Sequence, residues 1–196
     1  MKLYRAIPED KFTEQNVYKR QATKRAPSNV PYLVDNIWEY LRPEKYPSRR
    51  HSAYASPTPE LALENASMIT DGAFVVTEVK FSNRNYKIAH IQVADARYHR
   101  DIKLIMNCVM EHLGKDFTSK SIMEKQKHAE LFLPVVSKEE LHQYFNRNAV
   151  NKELENNLRG VSSFWGQASL EPDDHDGELF FEIMDNCEYK LIKVHK

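Results

Sequence analysis

Glycine and cysteine are scarce in this chain: five glycines and two cysteines occur among 196 residues. So few glycines leave little material for a glycine-rich loop that cradles a phosphate. Cys108 and Cys187 lie far apart and neither belongs to a Cys-x-x-Cys pair, which argues against a zinc or dithiol site and favours a reducing compartment. The spacing motifs of zinc proteases, serine hydrolases and EF-hands are also absent, which excludes most hydrolases and kinases.

No charge of one sign dominates, because lysine plus arginine and aspartate plus glutamate each number 28. Attraction to nucleic acid or to a membrane surface must therefore come from a local patch, and basic residues do concentrate in 17–25 and 42–50. No window approaches the roughly 18 apolar residues that span a bilayer, and the first residues lack a signal-peptide core. We expect no membrane partner and a cytoplasmic protein, or one delivered into a target cell without a cleaved signal peptide.

The hydrophobic pattern predicts one domain, 1–196, with 41% hydrophobic residues to fill its core. Alternation at period two predicts strands at 2–7, 52–56, 73–81, 86–93, 162–165, 178–183 and 188–194. The strands at 73–81 and 86–93 are expected to form a hairpin. Helical spacing, with proline at the start, predicts helices at 31–41 and 59–68.

Between about 97 and 149 the period changes to that of helices. Apolar residues from Ile102 to Leu113 mark one helix, and 122–131 marks a second. Ser137 with Glu140 three residues later forms a capping box that begins a third. A helical insertion between strand-rich ends predicts an α+β fold with mixed or antiparallel strands.

Three short segments carry residues suited to one kind of ligand. They are Arg5 on the first strand, Tyr54-Ala55-Ser56 on the second, and the glutamates Glu178 and Glu182 on a late strand. Arginine forks onto phosphate oxygens and tyrosine stacks on a planar ring. A glutamate can bind a ribose hydroxyl and stabilise positive charge at the anomeric carbon. A ligand with a pyrophosphate, a ribose and a planar base would use this set.

These segments resemble the ADP-ribosyltransferase superfamily, whose members split NAD between nicotinamide and ribose and pass ADP-ribose to a target or to water. Leu3-Tyr4-Arg5 resembles the first-strand arginine motif, and 178–183 resembles the late glutamate strand. Tyr54-x-Ser56 followed by Ala62 resembles the second-strand motif. The nearest subtype by eye is the RES-domain family of NAD-consuming toxins, which has a Tyr-Arg opening and a Tyr-x-Ser, alanine, glutamate segment.

The resemblance implies a split β-sheet core, NAD as the substrate and no metal. Glu178 or Glu182 would be the catalytic carboxylate, and Tyr54 would stack on nicotinamide. The residues expected to bind the dinucleotide are Tyr4, Arg5, His51, Ser52, Ser56 and Glu64, and Arg49 and Arg50 are further candidates. Glu64 falls one residue before the place of the family's motif glutamate, and Glu178 and Glu182 are four apart rather than two, so the choice of carboxylate stays open.

The implied function is transfer of ADP-ribose to a macromolecular target by a toxin-like or effector-like enzyme. The helical insertion would then bind the target, an antitoxin or another regulatory protein. One alternative is a non-catalytic interaction module with the same fold. Another is an ADP-ribosyltransferase that acts on nucleic acid through 17–25 and 42–50. The sequence leaves the acceptor open among protein, nucleic acid, a small molecule and water.

Overall fold

The computed structural model describes residues 2–14, 16–20, 24–26, 28–67, 72–173 and 177–194. The chain forms two compact units, the first from 1–23, 44–95 and 168–196 and the second from 24–43 and 96–167. The strands are β1 Tyr4–Pro8, β2 Val17–Lys19, β3 Ala53–Ala55, β4 Phe74–Phe81, β5 Tyr86–Ile91, β6 Ala168–Ser169, β7 Glu178–Ile183 and β8 Glu188–Lys193. The α-helices are α1 Tyr32–Leu41, α2 Pro59–Ser67, α3 Asp101–Leu113, α4 Ile122–Gln126, α5 Ala129–Phe132, α6 Lys138–Phe145 and α7 Ala149–Val161. The strands and α2 belong to the first unit.

The first unit contains two antiparallel four-stranded sheets. Their strand orders are β1-β4-β8-β2 and β3-β7-β5-β6. The sheets meet at a bridge between Tyr4 and Ser56, whose backbone N–H groups each donate to the other's carbonyl at 2.9 and 2.8 Å. The α+β class is therefore confirmed, with antiparallel pairing throughout both sheets.

Alternate side chains along each strand point into the core of this unit. On β7 the inward residues are Leu179, Phe181 and Ile183, which pack with Leu3 and Leu191 from the other sheet. Burying such side chains contributes roughly 1.5–3 kcal/mol each. Because strand residues alternate between faces, the remaining β7 residues face the opposite side of their sheet.

The predicted hairpin at 73–81 and 86–93 is wrong. Strand β4 pairs with β1 and β8, whereas β5 pairs with β6 and β7, so 82–85 carries the chain from one sheet to the other. The Nδ2 atoms of Asn83 and Asn85 donate to backbone carbonyls of the β7–β8 turn at 2.6 and 2.8 Å, which fixes this crossing. The alternation of polar and apolar residues shows that the two segments are strands. Which strand each of them pairs with depends on residues that are distant in the sequence.

The second unit is helical and extends beyond the predicted insertion at 97–149. It also contains α1, and α7 continues to Val161. The predicted capping box is confirmed, because Ser137 and Glu140 bond reciprocally at the start of α6. The predicted helix at 122–131 is instead two short helices, α4 and α5, separated at Lys127 and His128.

The predicted strand at 162–165 is also wrong, because Phe164–Gly166 forms a 3-10 turn. Its conformation is held by the buried carboxylate of Asp101, which accepts hydrogen bonds from the backbone N–H groups of Ser163 and Phe164, both at 2.9 Å. Within the part of the chain that the structure describes, no helix is long and apolar enough to cross a membrane.

Candidate active site

Glu178 and Glu182 lie on one face of β7. They alternate with the core residues Leu179, Phe181 and Ile183, so their side chains project from the face of the sheet opposite to that core. Both residues are nearly inaccessible, with exposures of 8% and 4%. Carboxylates this deeply buried are rarely tolerated unless they are paired.

Tyr54 faces the same side of the sheet. It lies directly opposite Phe180 in the antiparallel β3–β7 pair, and the two ring centroids are 6.2 Å apart. Opposed residues of an antiparallel pair share a face, so Tyr54 joins Phe180, Glu178 and Glu182 there. The structure therefore brings together the tyrosine and the glutamates of two separate motifs.

Arg49 connects Tyr54 to Glu178. It belongs to the 3-10 turn Arg49–His51, immediately before β3, and is buried. Its guanidinium donates to Glu178 Oε1 at 2.9 Å and to the Tyr54 hydroxyl at 3.3 Å. The guanidinium carbon also lies 6.0 Å from the centre of the Phe180 ring. A buried carboxylate and guanidinium and a partly buried phenol thus form one polar cluster beside the Phe180 ring.

Glu182 anchors the turn that carries Arg49. Its Oε2 accepts from the Ser48 backbone N–H at 2.7 Å, and its Oε1 accepts from Arg20 at 3.0 Å. The Ser52 hydroxyl donates to the Ser48 carbonyl at 2.6 Å and closes the turn. Because both Glu182 oxygens serve the scaffold, the geometry gives this glutamate a positioning role and leaves Glu178 beside Tyr54.

Arg5 does not join this group. On β1 it alternates with Tyr4, so it faces the inter-sheet core and donates to the Tyr189 hydroxyl at 3.0 Å. Tyr189 also stacks on Tyr18, with ring centroids 4.8 Å apart, and burial raises the pKa of its phenol despite the nearby Arg5 charge. Tyr4 is bridged to Ser56, so the backbone register places Tyr4, rather than Arg5, on the Tyr54 face.

Helix α2 does not bring Glu64 into contact with Ser56. Glu64 is exposed, whereas the following residue, Asn65, donates from Nδ2 to the Ser56 hydroxyl at 3.3 Å. Asn65 lies one residue beyond Glu64, at the position that the resemblance gives to the motif glutamate. The one-residue offset of Glu64 could have pointed to Asn65, which makes the contact with Ser56.

Two further contributors had weaker signals in the sequence. Arg20 lies in the basic segment 17–25, but charge alone did not indicate its pairing with Glu182. Ser48 donates to Glu182 through its backbone N–H, and such a contact cannot be predicted from the identity of the residue. His51 is partly buried at the end of the Arg49 turn and Arg50 is buried within it, so the turn itself is part of the site scaffold.

The basic segments contain cations that are paired with carboxylates. Arg20 pairs with Glu182 and Asp185, Lys19 with Glu188, Arg42 with Glu39, and Arg49 with Glu178. Residues 21–23 lie outside the described chain. These pairs reduce the positive potential that the two segments present to a nucleic acid. Among the described residues, no three His, Cys, Asp or Glu side chains are arranged to hold a metal ion.

Comparisons of this chain with protein-family models, with curated proteins and with solved structures gave no match.

Proposed function

We propose that this protein consumes NAD, breaking the bond between nicotinamide and ribose and transferring ADP-ribose to a macromolecular target. The observation that supports this most directly is strand adjacency. Strand β7, with Glu178, pairs with β3, with Tyr54, and β3 is bridged to β1 through Ser56 and Tyr4. The three segments that resemble ADP-ribosyltransferase motifs are distant in sequence, yet two of them pair in one sheet and the third is bridged to them from the other sheet. We propose that these sheets are a split core of the ADP-ribosyltransferase type.

In this proposal Glu178 is the catalytic carboxylate. It binds a ribose hydroxyl and stabilises the positive charge that develops at the anomeric carbon as the carbon–nitrogen bond breaks. Nicotinamide leaves with the bonding electron pair, and a nucleophile on the acceptor forms the new bond to the anomeric carbon. Tyr54 supplies the ring surface on which nicotinamide stacks. Glu182 holds the Ser48–Ser52 turn in place.

In this proposal Arg49 takes the phosphate-binding role that was predicted for Arg5. Its planar guanidinium suits the pyrophosphate, and the bound substrate would replace Glu178 as its partner. Releasing Glu178 from this ion pair makes the carboxylate available to the ribose. Substrate binding and activation of the carboxylate would therefore be one event.

The test is release of nicotinamide from NAD by the purified protein, with and without a cell lysate that supplies acceptors. Glu178→Gln is expected to lower the rate by about 100-fold, the cost of removing one transition-state electrostatic contact. Tyr54→Ala is expected to raise KM more than it lowers kcat. Glu60→Gln is the matched control, because Glu60 is exposed and lies on α2 in the same unit.

Labelled NAD identifies the acceptor. Label that is removed by protease indicates a protein target, and label that is removed by nuclease indicates nucleic acid. Parent protein that releases no nicotinamide with any lysate would overturn the proposal. Equal rates for Glu178→Gln and the parent would reject Glu178 as the catalytic group.

The burial of the Arg49–Glu178 pair favours one alternative, a non-catalytic interaction module. The two side chains are only 4% and 7% exposed, and their charges already satisfy each other at 2.9 Å. Because Arg49 already balances the charge of Glu178, the carboxylate does not need a bound substrate to be stable in its buried position. Intact NAD together with a stable protein partner recovered on the purified chain would support this alternative.

A further inference from the structure

The helical unit contains a cavity of about 520 Å³ that is distinct in composition from the site on β7. Five of its nine lining side chains are cationic or imidazole groups, and none of the nine is a carboxylate. The five are His112, Lys120, Lys127, His128 and Arg147. Such a lining favours an anionic ligand.

Four carboxylates act on the cations of this lining. Glu124 attracts Lys120 and Lys127, and Glu153 attracts His112, but both glutamates are exposed and offset only part of the positive charge. Glu130 pairs with Arg147, and Asp116 lies 3.8 Å from Lys120 with 75% of its side chain exposed. Lys120 also donates to the Leu113 carbonyl at 3.2 Å, at the end of α3. An ion pair with so exposed a partner is worth little, so Lys120 keeps its attraction for an anion.

Lys127 and His112 make no side-chain hydrogen bond or ion pair with any other described residue. Lys127 is exposed at the rim, and His112 is partly buried. Both line the cavity, so both can turn to a ligand without losing an existing contact. The backbone carbonyl of Lys127 accepts from Arg147 at 3.4 Å, which keeps two of the cations side by side.

The two histidines add a response to pH. Burial lowers the pKa of His112, although Glu153 opposes the shift. Burial also lowers the pKa of His128, and His112, Lys120 and Lys127 lower it further while Glu130 opposes them. His128 is hydrogen-bonded through Nδ1 to the Tyr144 hydroxyl at 2.8 Å, which orients its ring. An entering anion offsets the repulsion among these groups, so binding raises both pKa values and takes up protons.

One side of the cavity is formed by the start of α7, where the backbone is held by a helix cap. The Asn148 side chain caps this 13-residue helix by accepting from the Asn151 N–H at 2.8 Å. The positive end of the helix dipole therefore lies beside the cations of the lining.

We infer that this cavity binds the phosphate group of a small phosphorylated molecule, with Lys120, Lys127 and His112 as its main contacts. The inference does not depend on the proposed NAD reaction, because none of the residues that line this cavity belongs to the site on β7. Lysine binds phosphate as a point charge, and histidine adds a donor that becomes cationic when the ligand enters.

Calorimetric titration of the full chain with pyrophosphate, at low ionic strength and at pH 6 and pH 8, tests the inference. We expect saturable binding that is tighter at pH 6 and weakens steeply with salt. Lys127→Ala is expected to weaken it about tenfold, as loss of one hydrogen bond to a charged group predicts. Lys103→Ala is the control, because Lys103 is an exposed lysine of the same unit outside the lining.

Two further measurements separate this site from the proposed active site. His112→Gln is expected to reduce the pH dependence of binding, and Lys127→Ala is expected to leave the rate of nicotinamide release unchanged. No binding at millimolar pyrophosphate would overturn the inference, as would equal affinity for the Lys127→Ala and Lys103→Ala variants. Either outcome is independent of whether the chain releases nicotinamide.

Discussion

The Arg49 guanidinium lies 2.9 Å from Glu178 Oε1, and both side chains are less than a tenth exposed. The pair joins the turn before β3 to the first residue of β7, 129 positions later in the chain. Removing one member deprives the other of this buried ion pair, which is more costly than the net value of the pair. Because a single removal costs more than removal of both members, comparing the stabilities of the single and double variants measures the interaction between Arg49 and Glu178.

Arg49→Met is expected to lower the free energy of unfolding by about 3–5 kcal/mol, because Glu178 then stays buried without the Arg49 guanidinium beside it. The double variant Arg49→Met with Glu178→Leu is expected to recover much of that loss. Urea unfolding measures the stabilities of both variants.

The exposed pair Lys19–Glu188, 3.2 Å apart with side-chain exposures of 74% and 40%, is the control. Lys19→Met is expected to change stability by less than about 1 kcal/mol. Equal effects at the two sites would contradict the assigned burial.

Glu182→Gln tests whether this glutamate positions the Arg49 turn. The amide keeps the shape of the side chain but weakens its contacts with Arg20 and with the Ser48 N–H, now 2.7 Å from Oε2. We expect hydrogen exchange at Ser48 to accelerate by roughly tenfold, the equivalent of about 1.4 kcal/mol. Amide exchange followed by NMR measures this. An unchanged Ser48 rate beside a loss of global stability would show a general effect rather than a local one.

The strands and the capping box were predictable because they depend on residues close together in sequence. Alternation located β1, β7 and β8, and the Ser137–Glu140 pair located the start of α6. The spacing of Glu178 and Glu182 also showed that they share a face, which follows from the period of a strand alone.

Strand partners and the identity of the site arginine were not predictable in the same way. The segment at 86–91 alternates equally well as half of a hairpin or as a partner of β7, and only the folded sheet decides. Arg5 and Arg49 are both close to a motif strand in sequence. Their roles differ because the Tyr4–Ser56 bridge fixes a register that turns Arg5 toward Tyr189.

Glu155 is expected to make the helical unit sensitive to acid. Burial alone would raise its pKa, but hydrogen bonds from Lys152, Tyr40 and Arg159 outweigh burial and lower the pKa to about 2. A carboxyl whose pKa falls on folding stabilises the native state above its unfolded pKa, and this stability is lost as pH falls toward 2. The shift corresponds to at most about 3 kcal/mol, reduced by solvent around the half-exposed Lys152 and Arg159.

Urea unfolding between pH 7 and pH 2 measures this contribution. Glu155→Gln is expected to be less stable than the parent at pH 7, with the difference shrinking as the pH falls through 4 and toward 2. Glu153→Gln is the control, because Glu153 is exposed on the same helix. A difference between Glu155→Gln and the parent that stays constant across this range would contradict the lowered pKa.

Asp101 is expected to be the most sensitive polar residue of the helical unit. Its Oδ2 accepts from the Trp38 indole at 3.1 Å, and from the Ser162 hydroxyl and the Ser163 and Phe164 N–H groups at 2.9 Å each. Burial opposes ionisation, but these hydrogen bonds keep the pKa of the carboxyl below its usual value. The carboxylate therefore holds α1, α3 and the turn after α7 together.

Asp101→Ala is expected to lower the free energy of unfolding by about 4 kcal/mol, because it removes the carboxylate that accepts from several buried or partly buried donors. Asp101→Asn is expected to lower it by about 2 kcal/mol, since one oxygen and the shape remain while the charge is lost. Trp38 fluorescence during urea unfolding reports both losses. Asp116→Asn, at a side chain that is 75% exposed, is the control. If Asp101→Ala were no more destabilising than Asp116→Asn, the donors would have other acceptors and the carboxylate would not be the group that orders this turn.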